Sequence, residues 1–154
     1  MENKQYKDNM NKTEQIIKRS VDFVIAACCL IFFSPLAIAC AIAIRLEDGL
    51  PVIYRQERIG LHGKPFFIYK FRSMKIDAEK DGPDLLEIKG DPRLTKVGRF
   101  LRMHHLDELP QLWNVVKGDM AFIGPRPERK FYIDQIMEHD PRYTYLYQIR
   151  PGVT

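Results

Sequence analysis

The 154-residue sequence lacks the cysteine and histidine spacing of a metal site and has no disulfide framework. Its three cysteines, Cys28, Cys29 and Cys40, all lie in one apolar segment, and none has ligand spacing with any of the four histidines. We interpret them as small apolar side chains. The absence of a disulfide pattern favours the cytoplasmic face of a membrane over an oxidising compartment.

Internal repeats and low-complexity linkers are also missing, so a single domain is the simplest organisation. The net charge is +4, and basic residues are dense between Arg55 and Arg102. This balance suits anionic lipid head groups, phosphorylated substrates or nucleic acid. Because no recognition motif accompanies the charge, we do not expect a nucleic-acid partner.

One long uncharged segment is present, at residues 23–44. As a helix it would be about 33 Å long, close to the thickness of a bilayer core. A polar stretch precedes it and no small-residue cleavage site follows, which argues against a signal peptide. Three interpretations remain open: a spanning helix, a buried helix of a soluble protein, and a helix that enters the membrane and returns.

Ser34-Pro35 lies in the middle of this segment. Pro35 has no amide hydrogen, so the carbonyl of Ile31 loses its helical partner and the helix bends. The Ser34 hydroxyl can satisfy backbone groups that are freed in this way. Basic residues flank both ends of the segment, so the positive-inside tendency exports neither end. At the polar boundary, Arg19 and Asp22 have the i, i+3 spacing of an ion pair.

The remaining sequence predicts a short β-hairpin followed by helices. Residues 51–71 contain two β-branched and aromatic runs around a turn at 60–65. A break is expected at 81–83, and helices are predicted over 95–104, 109–118, 127–140 and 142–149. Several are amphipathic, so each either lies in a membrane interface or packs on a small core.

Two adjacent acids, Asp107 and Glu108, are the first candidates for chemistry. Neighbours within a helix point about 100° apart, but Pro110 favours a helix start near Leu109, which places both acids at its N-terminus. The free amides there favour anions, and both carboxylates could bind a Mg²⁺ ion beside an incoming phosphate. Ordinary helix capping is the alternative explanation.

Four cations are candidates for binding phosphate. Prolines on both sides restrict the backbone of Arg126, which would hold its guanidinium for bidentate binding of a phosphate. The alternative is a rigid turn with an exposed arginine. Lys70 and Arg72 would share one face of an extended strand, as a phosphate contact or as a solvated edge. Arg93 follows Asp91-Pro92, where capping is the alternative.

Together these motifs closely resemble the bacterial sugar transferases, the monotopic polyprenyl-phosphate phosphoglycosyl transferases, over about residues 16–154. The combination is specific, although each motif alone is weak. The matching residues are Lys18-Arg19 with Asp22, Ser34-Pro35, Gln56-Glu57-Arg58-Ile59-Gly60, Tyr69-Lys70-Phe71-Arg72-Ser73-Met74, Asp91-Pro92-Arg93-Leu94-Thr95, Gly98-Arg99-Phe100-Leu101-Arg102, Leu106-Asp107-Glu108-Leu109-Pro110-Gln111-Leu112-Trp113-Asn114-Val115, Gly118-Asp119-Met120 and Gly124-Pro125-Arg126-Pro127-Glu128.

The resemblance implies a mainly α protein with a short β-hairpin, an α+β fold, that is monotopic in the membrane. Its re-entrant helix would break at Ser34-Pro35, and amphipathic helices would lie in the interface. Residues 1–50 would form a polar segment and this helix, and residues 51–154 the catalytic region at the cytoplasmic face of the bacterial inner membrane, together one functional domain. We expect the C-terminal end to be shortened relative to the family, and a homo-oligomer is compatible with this organisation.

The resemblance also implies a reaction. Asp107 would attack the β-phosphate of a UDP-sugar, UMP would leave, and a covalent sugar-phosphoryl aspartate would remain. Polyprenyl (undecaprenyl) phosphate would then attack this intermediate and take the sugar phosphate, which primes surface polysaccharide or glycoconjugate synthesis. Asp107 and Glu108 would hold Mg²⁺, or Glu108 would assist deprotonation of the acceptor. Substrate phosphates would be bound by Lys70, Arg72, Arg93 and Arg126. The alternative function is a membrane-anchored, non-catalytic adaptor of a polysaccharide-assembly complex.

Overall fold

The apolar segment forms two helices that meet at a bend. The computed structural model describes residues 10–76, 78 and 91–153. Helix α1 spans Lys12–Phe32 and helix α2 spans Ser34–Asp48, with a 60° angle between them. The Ser34 hydroxyl donates a 2.8 Å hydrogen bond to the Ile31 carbonyl. Pro35 lies in the first turn of α2, where its missing amide hydrogen leaves no helical bond unmade.

The bend projects from the rest of the fold. No single helix among the described residues is long and apolar enough to cross a membrane, whereas α1 and α2 together pass that test as a bent pair. The legs of the pair are packed, since Ala26 on α1 and Ile44 on α2 are buried. Between these legs, Phe32 is 77% exposed. The bent pair therefore has packed legs and an exposed apolar tip.

A two-stranded antiparallel sheet follows α2. Strand β1 spans Ile53–Ile59 and strand β2 spans Pro65–Phe71, and Ile53 lies opposite Phe71. The predicted hairpin over 51–71 is confirmed. The described residues are otherwise mostly helical, so the α+β class is confirmed as well.

Three further α-helices follow among the described residues. Helix α3 spans Lys96–Met103, α4 spans Gln111–Lys117 and α5 spans Lys130–His139. Thr95 caps α3 by accepting a 2.8 Å hydrogen bond from the Gly98 amide. The helices predicted over 95–104, 109–118 and 127–140 are confirmed, and the last two begin later than predicted.

The elements pack around two small apolar cores. The first joins α1, β2 and α4 through Ala26, Ile68, Val115 and Met120. The second joins α2, the end of β2 and α3 through Cys40, Ile44, Phe71 and Leu101. Each leg of the bent pair is therefore part of one core, and β2 contributes to both.

Two sequence predictions are wrong. Residues 142–149 do not form an α-helix, because Pro141–Gln148 is a 3₁₀ helix whose first turn is tightened by the Asp140 side chain accepting from the Arg142 amide. Asp22 pairs with Lys18 at 3.0 Å, not with Arg19. The break predicted at 81–83 lies outside the described residues.

Arg19 instead joins α1 to α4. Its guanidinium donates to the carbonyls of Val115 and Val116 at 2.5 and 2.7 Å. The last carbonyls of a helix have no partner inside the helix. An arginine from a neighbouring helix satisfies them here, which is why the pairing differs from the i, i+3 expectation.

Helix α3 approaches the end of the hairpin so closely that only glycine fits at the contact. A Cβ atom on Gly98 would lie 1.9 Å from the Ser73 carbonyl oxygen. That carbonyl already accepts a 3.1 Å hydrogen bond from the Thr95 amide, so the two segments cannot separate without losing it.

Replacing this glycine should therefore destabilise the fold. We expect Gly98→Ala to lower the free energy of unfolding by about 3 kcal/mol, because backbone atoms must move to admit the methyl group. Denaturant titration in detergent would measure this change. The matched control is Arg99→Ala, at an exposed position of the same helix, which should change stability by less than about 0.5 kcal/mol. Equal stability of the two variants would contradict the contact.

Candidate active site

The acid pair lies in a short turn that links α3 to α4. Residues Leu106–Glu108 form a 3₁₀ turn, and His105 enters it in the left-handed conformation with φ 54°. Helix α4 begins only at Gln111, so the acids precede the helix and do not form its first turn. Asp107 is 7% exposed and Glu108 is half-buried. The tight turn holds both carboxyl groups at the same end of α4.

Strand β2 brings a cation to the acids. The Lys70 Nζ lies 2.6 Å from Glu108 Oε1, and both side chains are mostly buried. Burial disfavours the charged form of Glu108, but the Lys70 ammonium, with Arg126 and Gln111, outweighs it and holds the pKa of this carboxyl below its usual range.

Asp107 has the opposite tendency. Burial raises the pKa of its carboxyl; Lys70 and Arg102 oppose that rise, whereas the neighbouring Glu108 charge adds to it. The two adjacent acids are therefore unequal. Glu108 is held as an anion by its ion pair, while Asp107 is the more basic carboxylate of the two.

The predicted cations fall into two groups. Lys70 and Arg126 both act on Glu108. Arg72 turns away and donates to the carbonyls of Asp48 and Gly49 at 2.7 and 3.1 Å, at the end of α2. Arg93 binds the Asp91 carboxylate, with its Nε 2.9 Å from Oδ1. Their predicted role in phosphate binding stays a prediction.

Arg126 is presented by an anchored loop. The Gly152 amide donates to the Pro125 carbonyl at 2.9 Å, and Arg58 donates to the Pro127 carbonyl at 3.0 Å. A Cβ on Gly124 would lie 2.3 Å from the Arg150 carbonyl oxygen. The prolines and these contacts together leave the backbone around Arg126 little freedom.

A small cavity of about 10 Å³, room for roughly one water molecule, adjoins this loop. Arg126 lines it together with Tyr143 and Tyr147. The Tyr147 hydroxyl is buried, and no described residue forms a hydrogen bond with it. Burial raises the pKa of this phenol to about 12. The cavity is thus lined by a guanidinium and aromatic rings.

The acid pair fits a magnesium ion of the kind that is completed by substrate. Among the described residues, no three His, Cys, Asp or Glu side chains come together as a metal site. Mg²⁺ commonly takes only one or two carboxylates and fills its other positions with water and phosphate oxygens. Asp107 and Glu108 can supply that minimal set, although one Glu108 oxygen is engaged by Lys70.

Sequence comparison identifies the family of the chain. A family model described as bacterial sugar transferase matches residues 13–154, nearly the whole chain. The chain belongs to the bacterial sugar transferase family. The match includes the bent helices, the hairpin and the acid turn, so the family's sequence pattern and the described fold cover the same residues.

Two relatives show how specific the similarity is. An Aeromonas hydrophila UDP-N-acetylgalactosamine-undecaprenyl-phosphate N-acetylgalactosaminephosphotransferase is 44% identical over 138 residues, 90% of this chain and 32% of its own length. A Caulobacter vibrioides UDP-glucose:undecaprenyl-phosphate glucose-1-phosphate transferase is 46% identical over 138 residues, 89% of this chain and 51% of its own. The chain therefore spans about a third of the length of the first relative and about half of the length of the second.

Arg102 is a cation that the sequence reasoning missed in this bacterial sugar transferase. It acts on the Asp107 carboxyl, and its Nε donates to the Ser73 hydroxyl at 2.9 Å. Its place in the last turn of α3, directly before the acid turn, was an available signal. Arginine near a helix C-terminus is also ordinary, so only the structure distinguishes the two cases.

The inequality of the acids can be measured directly. Lys70→Met should raise the pKa of Glu108, because its hydrogen-bonded cation is lost, and should raise that of Asp107 further. Carbon-13 NMR titration of the carboxyl groups in magnesium-free buffer would report both values. The control is Lys117→Met, whose partner at 2.9 Å is Asp119 at the other end of α4. An unchanged pKa of Glu108 in Lys70→Met would rule out the assigned pairing.

Proposed function

We propose that this protein is a phosphoglycosyl transferase that moves a sugar 1-phosphate from a UDP-sugar to polyprenyl phosphate, with undecaprenyl phosphate as the acceptor. The observation that supports it most is the cation-flanked pair of buried Asp107 and half-buried Glu108. The chain that carries this pair is similar to undecaprenyl-phosphate sugar-phosphate transferases. The same similarity supports a role in starting surface polysaccharide or glycoconjugate synthesis.

In the proposed reaction, Asp107 is the nucleophile. A carboxylate oxygen of Asp107 attacks the β-phosphorus of the donor, the bond from that phosphorus to the bridging oxygen breaks, and UMP departs with the bond's electrons. An oxygen of polyprenyl phosphate then attacks the same phosphorus, which releases Asp107. Two displacements at one phosphorus replace a single transfer between a soluble donor and a lipid acceptor. The raised pKa of Asp107 suits an attacking carboxylate, which is a better nucleophile when more basic.

The other residues hold charge and orient the donor. Lys70 keeps Glu108 ionised, and Arg102 and Arg126 lie where they can offset the negative charge of a diphosphate. Mg²⁺ bound by Asp107 and Glu108 would neutralise part of the diphosphate charge.

The membrane would hold the bent helix pair. About six residues on each leg separate the packed positions Ala26 and Cys40 from the bend, which is a reach of about 10 Å per leg. A bilayer core is about 30 Å thick, so this tip would enter one leaflet and return. Charged groups on both legs, the Lys18–Asp22 ion pair and Arg45, would remain at the cytoplasmic surface of the inner membrane.

Loss of the nucleophile should abolish the first half of the reaction. Purified Asp107→Asn with UDP-glucose or UDP-N-acetylgalactosamine and Mg²⁺ should release no UMP, even without acceptor, because the neutral amide cannot attack phosphorus. The control is Asp134→Asn, an exposed partner of Lys130 on α5, which should turn over normally. In the active protein, labelled sugar phosphate should be found on Asp107 by mass spectrometry. Normal UMP release by Asp107→Asn would show that Asp107 is not the nucleophile. A variant that lacks both acids and still binds its partners would favour the non-catalytic adaptor.

The re-entrant path can be tested by labelling. Single cysteines at Ser20 and Thr144, in a background without native cysteines, should both resist a membrane-impermeant maleimide in intact cells. Both should react once the cells are opened, because the two positions would share the cytoplasmic side. Labelling of only one of them from outside would show that the pair of helices crosses the membrane.

A further inference from the structure

Strand β2 has one edge that β1 does not cover. Every second residue of β2, including Ile68 and Lys70, directs its amide and carbonyl toward β1. The Arg72 amide, which donates to the Val52 carbonyl at 2.9 Å, continues this set. Phe67 and Tyr69 belong to the other set, so their amide and carbonyl groups face outward. Unpaired backbone groups at a buried edge are unfavourable and require a partner.

One side chain supplies that partner. Asn114 of α4 is 0% exposed, its Oδ1 accepts from the Tyr69 amide at 3.1 Å, and its Nδ2 donates to the Phe67 carbonyl at 2.7 Å. A residue on a parallel neighbouring strand bonds in this same way, to the amide and carbonyl that flank the residue opposite. The carboxamide of Asn114 therefore occupies the position of a third strand, opposite Ile68.

We propose that Asn114 is the positioning residue that sets the separation and register of β2 and α4, and so brings the Lys70 ammonium to Glu108. Lys70 directly follows Tyr69 on β2, and Glu108 lies in the turn before α4. Each end of the 2.6 Å ion pair is thus carried by an element that Asn114 binds. The functional part of this inference rests on the proposed transferase reaction.

Asn114 is itself held in place. Its backbone carbonyl accepts from the amides of Gly118, Asp119 and Met120 at 3.1, 3.0 and 3.2 Å. The next residue, Val115, is fully buried in the core with Ala26, and its carbonyl is bound by Arg19. These contacts oppose rotation and sliding of α4, so the two carboxamide bonds transmit a defined position to β2.

A double-mutant cycle separates positioning from stability. Asn114→Ala should lower kcat for UMP release by about 100-fold with a smaller change in KM, since a displacement near 1 Å is enough for such a loss. In a Lys70→Met background, Asn114→Ala should add no further loss, because no ammonium is left to position. The control is Ile133→Ala, a truncation at a buried position of α5, and its smaller effect should be the same in both backgrounds.

Two measurements keep the inference testable without activity. Hydrogen exchange of the unmodified protein should show the Tyr69 amide as protected as those of Ile68 and Lys70, which face β1. Lys70→Met should lower the unfolding midpoint of the unmodified protein but not that of Asn114→Ala. If the unmodified protein releases no UMP, the proposed reaction is refuted. The hydrogen-exchange and unfolding measurements would still decide the role of Asn114.

The inference would be overturned in either of two ways. The first is a freely exchanging Tyr69 amide in the unmodified protein, which needs no variant to fold. The second is independent, multiplying effects of Asn114→Ala and Lys70→Met on kcat, which would reduce Asn114 to a stabilising residue.

Discussion

The seven residues of α4 form the element on which the candidate site depends. One side of this helix is bonded to β2 through Asn114, another packs on α1 through Val115, and its end is bound by Arg19. A helix this short has little stability of its own, so its position comes from these tertiary contacts. The acid turn directly precedes it and is therefore held by the same contacts.

The site works through unequal burial and unequal pairing of two neighbouring carboxyl groups. Adjacent acids in water would behave alike, whereas here Glu108 is ion-paired and Asp107 is the more deeply buried of the two. The difference requires a cation from a strand that is distant in the chain. It also requires low solvent exposure, since water would screen the ion pair and reduce the contrast.

The packing of the bent helices links the site to the proposed membrane surface. One leg contributes Ala26 to the core around α4, and the other ends at Asp48 and Gly49, which bind Arg72 two residues after Lys70. Glu47, at the same end, accepts hydrogen bonds from the first amides of α3 at 2.7 and 2.8 Å. Both legs thus contact the elements that carry the site. The position of the bend relative to the acids is therefore fixed by this packing.

Much of the fold follows from local chemistry. The β-branched runs around a glycine-rich turn predict the hairpin, Thr95 and Gly118 predict helix ends, and the motifs together predict the family, which the family match confirms. Local chemistry did not predict the 3₁₀ geometry of Pro141–Gln148.

By itself, the sequence determined the order of the elements, the family and the candidate acids, because these depend on side-chain type and near-neighbour spacing. Only the tertiary structure decided which cations serve the acids. It places Lys70 on Glu108, directs Arg72 to the end of α2 and Arg93 to Asp91, and adds Arg102. It also showed that Asn114 completes the edge of β2. Such pairings depend on distances between residues far apart in the chain, and spacing along the sequence does not encode them.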